Sequence, residues 1–466
     1  MREHVRPPGS EPIVVLGGGI AGLAAADALA SAGFRVIVVE CSAQCGGTHR
    51  SHAIGSYTFD VGSIFYEPTA RLFDMAPGLR ELCLTVQRRQ RRIAPGGTLL
   101  HYPIEPREFL RGPRVELALG IADLLGSRLT VKRNGTLAAI SRKRLGERIF
   151  RSTGLRDYIT RFNHVPPEQV SESFFFHRMA FIDRSTRMSA LFQMAGRALF
   201  TRHSIANRPR RALYVRPREG FSALFEAIEH RLRARGVEFR MNAPLQRISR
   251  EGPLLRIETD RGETLHCRTA VCAMPLDAVH RALFHNGSGL VSLDMTTLFV
   301  SARSLDPGLG NVLFNFDTRG RWKRATIYSR IYPDPAIERE YLAVECTIPP
   351  DGAHDPQAVF DDFRKHLQEL RFAEDLRLEG SDLVKDCYPL YRPGTDDTLQ
   401  TVLDKITGFG IIPVGRQGRF EYLPTSSGVI RRVMEELTAV GLVEPMRTQV
   451  GQPAPDAGPS TLAVHP

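Results

Sequence analysis

Ile13–Leu16 and Val36–Val39 are short β-branched apolar runs, and the alanine-rich stretch Ala21–Ala32 lies between them and ends at Gly33. Unbroken apolar runs suit strands buried on both faces, and alanine is the strongest helix former. The pattern therefore predicts strand, helix, strand. A second patterned region runs from Tyr214 to Pro275. There Leu224, Ile228 and Leu232 share one face of a helix predicted over Gly220–Arg235. Strands are predicted around Val237–Met241, Leu254–Thr259 and Thr269–Ala273, with Arg261-Gly262 as a turn. The stretches 80–210 and 286–385 differ in texture, with helical segments rich in Arg and Phe followed by aromatic strands. Both ends offer little to bury, so order is expected from about Pro12 to about Thr448, with disordered tails at 1–11 and 449–466.

At 466 residues the chain exceeds one ordinary core and is expected to form two or three domains, with room for a cofactor between them. Hydrophobic residues at 42% and charged residues at 24% fit a globular protein. The 62 Lys and Arg exceed the 51 Asp and Glu, and the net charge of +11 favours anionic ligands or surfaces. No nucleic-acid-binding motif accompanies that charge, so nucleic acid is not an expected partner. The seven cysteines are odd in number and include no CxxC pair, which points away from a disulfide framework or a metal site and towards a reducing cytoplasm. No run approaches the roughly 18 apolar residues of a membrane span, so membrane contact is expected to be peripheral at most.

Gly17-Gly18-Gly19-Ile20-Ala21-Gly22 follows a buried strand and opens a helix, the setting in which G-x-G-x-x-G marks a dinucleotide site. Gly17 turns the chain, Gly19 admits a diphosphate close to the backbone, and Gly22 lets helix and strand pack closely. The N–H groups of the first turn, at Gly19, Ile20, Ala21 and Gly22, then meet the negative charge. Glu40 ends the second strand, where a carboxylate accepts hydrogen bonds from ribose hydroxyls and repels a 2′-phosphate.

Further motifs separate flavin from nicotinamide. Cys45-Gly46-Gly47-Thr48-His49-Arg50 precedes Tyr57-Thr58-Phe59-Asp60-Val61-Gly62; Pro217–Leu224 leads into a helix; Met241–Leu245 and Val271–Pro275 follow. Ile411-Ile412-Pro413-Val414-Gly415-Arg416 lies near the end. This succession resembles the flavoprotein superfamily of amine oxidases, protoporphyrinogen oxidases, phytoene desaturases and UDP-galactopyranose mutases. The resemblance implies FAD, with Gly46, Gly47 and Thr48 beside diphosphate and flavin, Leu245 at adenine, and Gly415 and Arg416 at the ring. Tyr102-Pro103 and Tyr388-Pro389-Leu390-Tyr391 are similar to segments of mutase-like members. Their aromatic rings are expected either to hold a substrate ring or to pack in the core. Gly62–Tyr66 lacks the histidine that mutases carry in this loop, and Pro424–Ser427 replaces the usual Asn-x-Asp, leaving Thr425 or Ser426 to cap the next helix.

The expected fold is α/β: a discontinuous Rossmann-like FAD-binding domain (12–79, 214–285, 386–448) with an interposed α+β substrate domain (80–213, 286–385). The expected activity is FAD-dependent removal of a hydride from a small molecule. Alternatives are flavin-dependent isomerisation of a nucleotide sugar and FAD binding without catalysis. His49 and His52 are candidates for a proton donor or flavin attachment, although solvent-facing positions are expected. Cys41 and Cys45 are candidates for a redox pair, and Arg178, Arg324 and Arg330 for clamps on an anionic substrate. No catalytic residue, electron acceptor or oligomer interface is legible as a motif.

Overall fold

The computed structural model describes residues 11–445 apart from 63, 105–107, 109–113 and 180–211. The expected tails lie outside the described residues except for Glu11. Strand Ile13–Leu16 sits at the centre of a five-stranded parallel sheet. Val36–Val39 and then Glu238–Arg240 lie on one side of it, Ala270–Cys272 and then Ile411–Pro413 on the other. The central strands are buried throughout, as unbroken Val and Ile runs require. Helix Ile20–Ser31 packs on this sheet through Ala, Gly and Leu side chains that are nearly all buried. Neighbours on both sides of Ile13–Leu16 create a crevice at its carboxyl end, where the glycine run lies.

The second sheet has seven strands in the order Ala373–Pro389, Ser292–Leu305, Glu340–Ile348, Arg324–Ile327, Val312–Asn315, Gln90–Ile93, Leu99–His101. All its pairs are antiparallel except Val312–Asn315 with Gln90–Ile93. Helix Pro356–Glu369 covers one face, burying Phe360, Phe363 and Leu367 with Trp322, Leu298 and Val344. From the other face, Phe299, Tyr328 and Tyr341 join the core that continues to the parallel sheet. The molecule is thus a discontinuous Rossmann-like α/β unit with an α+β unit interposed.

Differences from the sequence pattern have local causes. The second helix spans Ser222–Ala234. Strands Leu245–Glu251 and Thr264–Cys267, which pair with Leu254–Thr259 in a three-stranded meander, are not predicted. Their polar runs, such as Gln246-Arg247 and Ser249-Arg250, hide the alternation because one face is open to solvent. The expected boundary between 385 and 386 falls inside strand Ala373–Pro389, whose terminal proline needs no N–H partner.

Candidate cofactor site

Gly17 turns the chain with φ +103° and donates its N–H to Val39 O at 2.8 Å. Gly22 lies against that turn, where a Cβ would meet Gly17 O at 1.8 Å. Only glycine lets helix Ile20–Ser31 approach this closely. Gly19 differs. Its backbone is extended, with φ −74° and ψ 179°, and the sole atom near a Cβ would be Gly47 Cα at 3.8 Å. No protein atom demands glycine there. Gly19 is also the N-cap of the helix and supplies no side-chain cap, leaving first-turn N–H groups without a side-chain acceptor.

The second glycine pair is bound to the first. Gly46 donates its N–H to Gly18 O at 2.9 Å. Gly47 and Thr48 next to it are exposed. Glu40 is buried, and its Oε2 accepts the Gly18 N–H at 2.6 Å while Oε1 accepts the Ser42 N–H at 2.8 Å. The carboxylate therefore also braces the glycine turn. Asn242 and Ala243 donate their N–H groups to Ser42 O and Glu40 O, both at 2.9 Å, which brings the segment leading to Leu245 against Glu40. At the far end, Gly415 packs on the first turn of Ile20–Ser31, with φ +67° and room for a Cβ blocked by Ala21 Cβ at 2.4 Å. Gly17, Gly19, Ile20, Ala21, Gly22, Glu40, Gly46, Gly47 and Gly415 therefore lie together, and Leu245 follows two residues after Ala243, whose N–H bonds Glu40 O.

Arg416 donates from Nη2 to Cys387 O at 2.6 Å, and its guanidinium carbon lies 4.8 Å from the Tyr388 ring centre and 5.4 Å from that of Tyr422. Cation–π attraction on both rings fixes the charge. Thr425 caps helix Ser426–Ala439, its hydroxyl accepting the Gly428 N–H at 3.0 Å. The first turn of this helix stands beside Gly415, because a Cβ at Gly415 would meet Val429 Cγ1 at 3.6 Å.

Several candidates have other duties. His49 is half-buried: it packs against Tyr66, Phe221 and Phe225, and desolvation pulls its imidazole down to about 4. His52 does project to the half-exposed surface, where Nε2 meets Asp382 Oδ2 at 2.5 Å, far along the chain on the larger sheet. Cys41 is exposed and Cys45 buried, both are free, and burial together with Glu229 and Glu40 raises the Cys45 thiol, which disfavours the thiolate that a redox pair needs. Tyr391 is a core clamp whose hydroxyl donates to Phe420 O and accepts the Tyr422 N–H, each at 3.0 Å. Tyr102 stacks on Phe314 at 3.9 Å between ring centres.

Arg324 is not free to clamp an anion alone, because its direct partner across the antiparallel ladder is Glu345, with Nε to Oε1 at 3.0 Å. Arg330 braces a turn, bonding Glu340 Oε1 and the carbonyls of Leu305, Asp306 and Gly310. The Arg178 side chain lies outside the described residues. Sequence reading missed the group that surrounds Arg324. Lys323 Nζ lies 2.7 Å from both Glu345 Oε2 and Tyr388 Oη, so a buried chain of charge runs from Arg324 to the ring on which Arg416 rests. The signal was present as a lone acid in the apolar run Tyr341–Ile348.

Burial alone would raise the Glu345 carboxyl, but Arg324 and Lys323 bring it from 4.5 down to about 2. That difference corresponds to about 3 kcal/mol of folding stability. Because the folded value is the lower one, this stability is complete above pH 4.5 and is lost as pH falls towards about 2. Melting temperatures across that range are expected to fall more steeply for the native protein than for Glu345→Gln, which starts lower at neutral pH. Parallel curves would show that the carboxylate is not held by the two cations.

A parallel sheet whose central strand feeds a glycine turn and an uncapped helix, with an acid ending the next strand, defines a dinucleotide-binding α/β protein. Residues 20–410 match the family described as flavin-containing amine oxidoreductase. The chain belongs to that family, and its cofactor is FAD. Three solved structures share the fold. A reduced UDP-galactopyranose mutase has TM-score 0.74 and 18% identity, covering 93% of this chain and 94% of that one. Cyclohexylamine oxidase from Brevibacterium oxydans IH-35A has TM-score 0.58 and 16% identity, covering 92% and 98%. A fatty acid isomerase from P. acnes, described as producing CLA, has TM-score 0.58 and 14% identity, covering 93% and 99%. Such low identities carry the fold and leave the reaction open. Among the described residues no helix is long and apolar enough to cross a membrane, and no cluster of metal-ligating side chains occurs.

Proposed function

We propose that this chain is an FAD-dependent oxidoreductase that removes a hydride from a C–H bond beside an amine or alcohol of a small-molecule substrate. The observation that carries the reading is the open position at Gly19, where an uncapped helix N-terminus meets Gly46 and Gly47. In this reading the N–H groups of Gly19, Ile20, Ala21 and Gly22 hold the diphosphate behind the turn made by Gly17. Glu40 retains lone pairs for ribose hydroxyls beyond the two backbone N–H groups it already accepts. Leu245 borders adenine, Gly46, Gly47 and Thr48 run beside diphosphate and flavin, and Gly415 and Arg416 lie at the ring. When bound, FAD supplies two-electron chemistry, with oxygen or another acceptor restoring its oxidised state.

The protein's own part is orientation, electrostatics and exclusion of water. Arg416 and the positive end of helix Ser426–Ala439 favour negative charge at the reduced ring. His49 is uncharged at neutral pH and serves as a packing ring between Phe221 and Phe225. The chain stretches 12–79, 214–285 and 386–448 make up the FAD domain in this reading, and 80–213 with 286–385 the substrate domain. Seven free cysteines suit the cytoplasm as its location.

One observation favours a second reading. The likeness to the mutase, at TM-score 0.74, exceeds that to the amine oxidase, at 0.58, and the arginine excess suits a nucleotide-sugar diphosphate. The flavin would then act in reduced form with no net oxidation. Visible absorbance during anaerobic turnover separates the two. Substrates that bleach the flavin, with colour restored by air, support the oxidoreductase; turnover that requires reduced flavin yet never consumes it overturns that reading in favour of isomerisation. Flavin that neither substrate nor dithionite reduces would indicate binding without catalysis.

A further inference from the structure

Helix Arg114–Thr130 is folded inside out. Val115, Leu119, Ile121, Leu125 and Leu129 are 41–88% exposed, and they are five of the nine large apolar side chains exposed among the described residues. Ala118 and Ala122 are exposed with them. At about 100° per residue these seven positions fall within an arc of roughly 160°, a continuous apolar face. On the other side Asp123 and Ser127 turn inwards, while Glu116 and Thr130 stay exposed. Ser127 is buried and its hydroxyl donates to Asp123 Oδ1 at 3.5 Å, while Asp123 Oδ2 accepts the Arg148 N–H at 2.8 Å at the start of helix Glu147–Ser152. The helix is thereby locked by its acid and hydroxyl, with its oily side outwards.

Cations border this face. Arg148 reaches Glu116 in the first turn at 3.4 Å, Lys132 stands exposed just past the last turn, and Arg133 next to it is exposed while holding Glu172 at 2.5 Å. Residues 114–172 hold eleven Lys and Arg against six Asp and Glu, a surplus of five within a chain whose net charge is +11. An exposed apolar helical face bordered by cations is the surface that settles into the interface of a negatively charged bilayer. A second copy placed on the same face would bring two such surpluses together and repel.

We propose that helix Arg114–Thr130 docks this protein on the surface of an anionic lipid bilayer, with the apolar face among the acyl chains and the flanking cations at the headgroups. The test uses FAD-loaded protein sedimented with vesicles of phosphatidylcholine alone or with phosphatidylglycerol added. Native protein is expected to sediment with the anionic vesicles only, and less at high salt. Leu125→Glu with Leu129→Glu should lower the bound fraction at least ~10-fold while flavin content and melting temperature stay unchanged. Lys132→Gln with Arg133→Gln should weaken binding and flatten its salt dependence.

Four results would overturn the proposal. Native protein could ignore anionic vesicles, or the double Glu variant could bind as well as native. Light scattering could show a native dimer that the double Glu variant converts to monomer, which would assign the face to a second copy. Loss of flavin or of melting temperature in that variant would mean that the chain itself covers the face.

Discussion

Gly19→Val is expected to give a folded protein that has lost its flavin. The extended backbone at this position accepts any residue, and a Cβ meets nothing closer than Gly47 Cα at 3.8 Å, so the apoprotein has no steric reason to be less stable. The branched side chain would instead occupy the space between the helix N-terminus and Gly47, which the proposed diphosphate needs. Affinity for FAD is expected to fall at least ~100-fold, equivalent to about 2.7 kcal/mol. Gly22→Ala provides the contrast. Its Cβ would stand 1.8 Å from Gly17 O and 2.9 Å from Gly17 C, backbone atoms that cannot rotate away, so this variant should be destabilised before any ligand is considered. Flavin absorbance and the melting temperature of flavin-free protein distinguish the two. A Gly19→Val protein with full flavin occupancy would contradict the placement of the diphosphate.

Arg216→Met is expected to lower folding stability by ~3–5 kcal/mol. Arg216 and Asp60 are both wholly buried, joined at 2.9 and 3.0 Å from Nε to the two carboxylate oxygens. The remaining guanidinium nitrogens donate to the carbonyls of Pro217 and Arg218 at 2.6 Å and of Thr58 at 3.0 Å. Burial already raises the Asp60 carboxyl, so removing the cation forces it to take up a proton in the core and leaves three carbonyls without donors, the costly side of a buried pair. The loss should spread to the cofactor site. Ser51 donates to Asp60 and accepts the Phe221 N–H at 3.0 Å, and Phe221 packs on His49 next to Gly46. Denaturant melts of flavin-free protein measure the stability term, and flavin titration measures the second. Arg216→Met with Asp60→Leu should recover part of the stability, because no unpaired acid then remains. A single variant within about 1 kcal/mol of native would show the pair to be dispensable.

The parallel sheet was legible because burial on both faces writes itself as unbroken β-branched runs. Ile13–Leu16 and Val36–Val39 have the bounds that the pattern predicts. The glycine turn was legible for a different reason, since backbone approach leaves no substitute for glycine at Gly17 or Gly22. The meander strand Leu245–Glu251 was not, because solvent on one face permits almost any polar residue. Single side chains at the site were the least legible. Arg324 and Arg330 read as candidate clamps since a sequence displays charge and hides its partner, and Glu345 reaches Arg324 only through strand pairing and Glu340 reaches Arg330 only through the turn that follows it. Asp60 looked like part of a flavin motif, yet its carboxylate is spent on Arg216, 156 positions later. His49 looked exposed for want of an apolar run around it, although three rings from other segments pack on it and leave it half-buried.

The most direct measurement is a crystal structure of the protein loaded with FAD. The account predicts diphosphate density over the Gly19–Gly22 backbone, a ribose hydroxyl within hydrogen-bond distance of Glu40, and the ring beside Gly415 and Arg416. Diphosphate density elsewhere, with the first turn of Ile20–Ser31 bound to nothing but water, would contradict it.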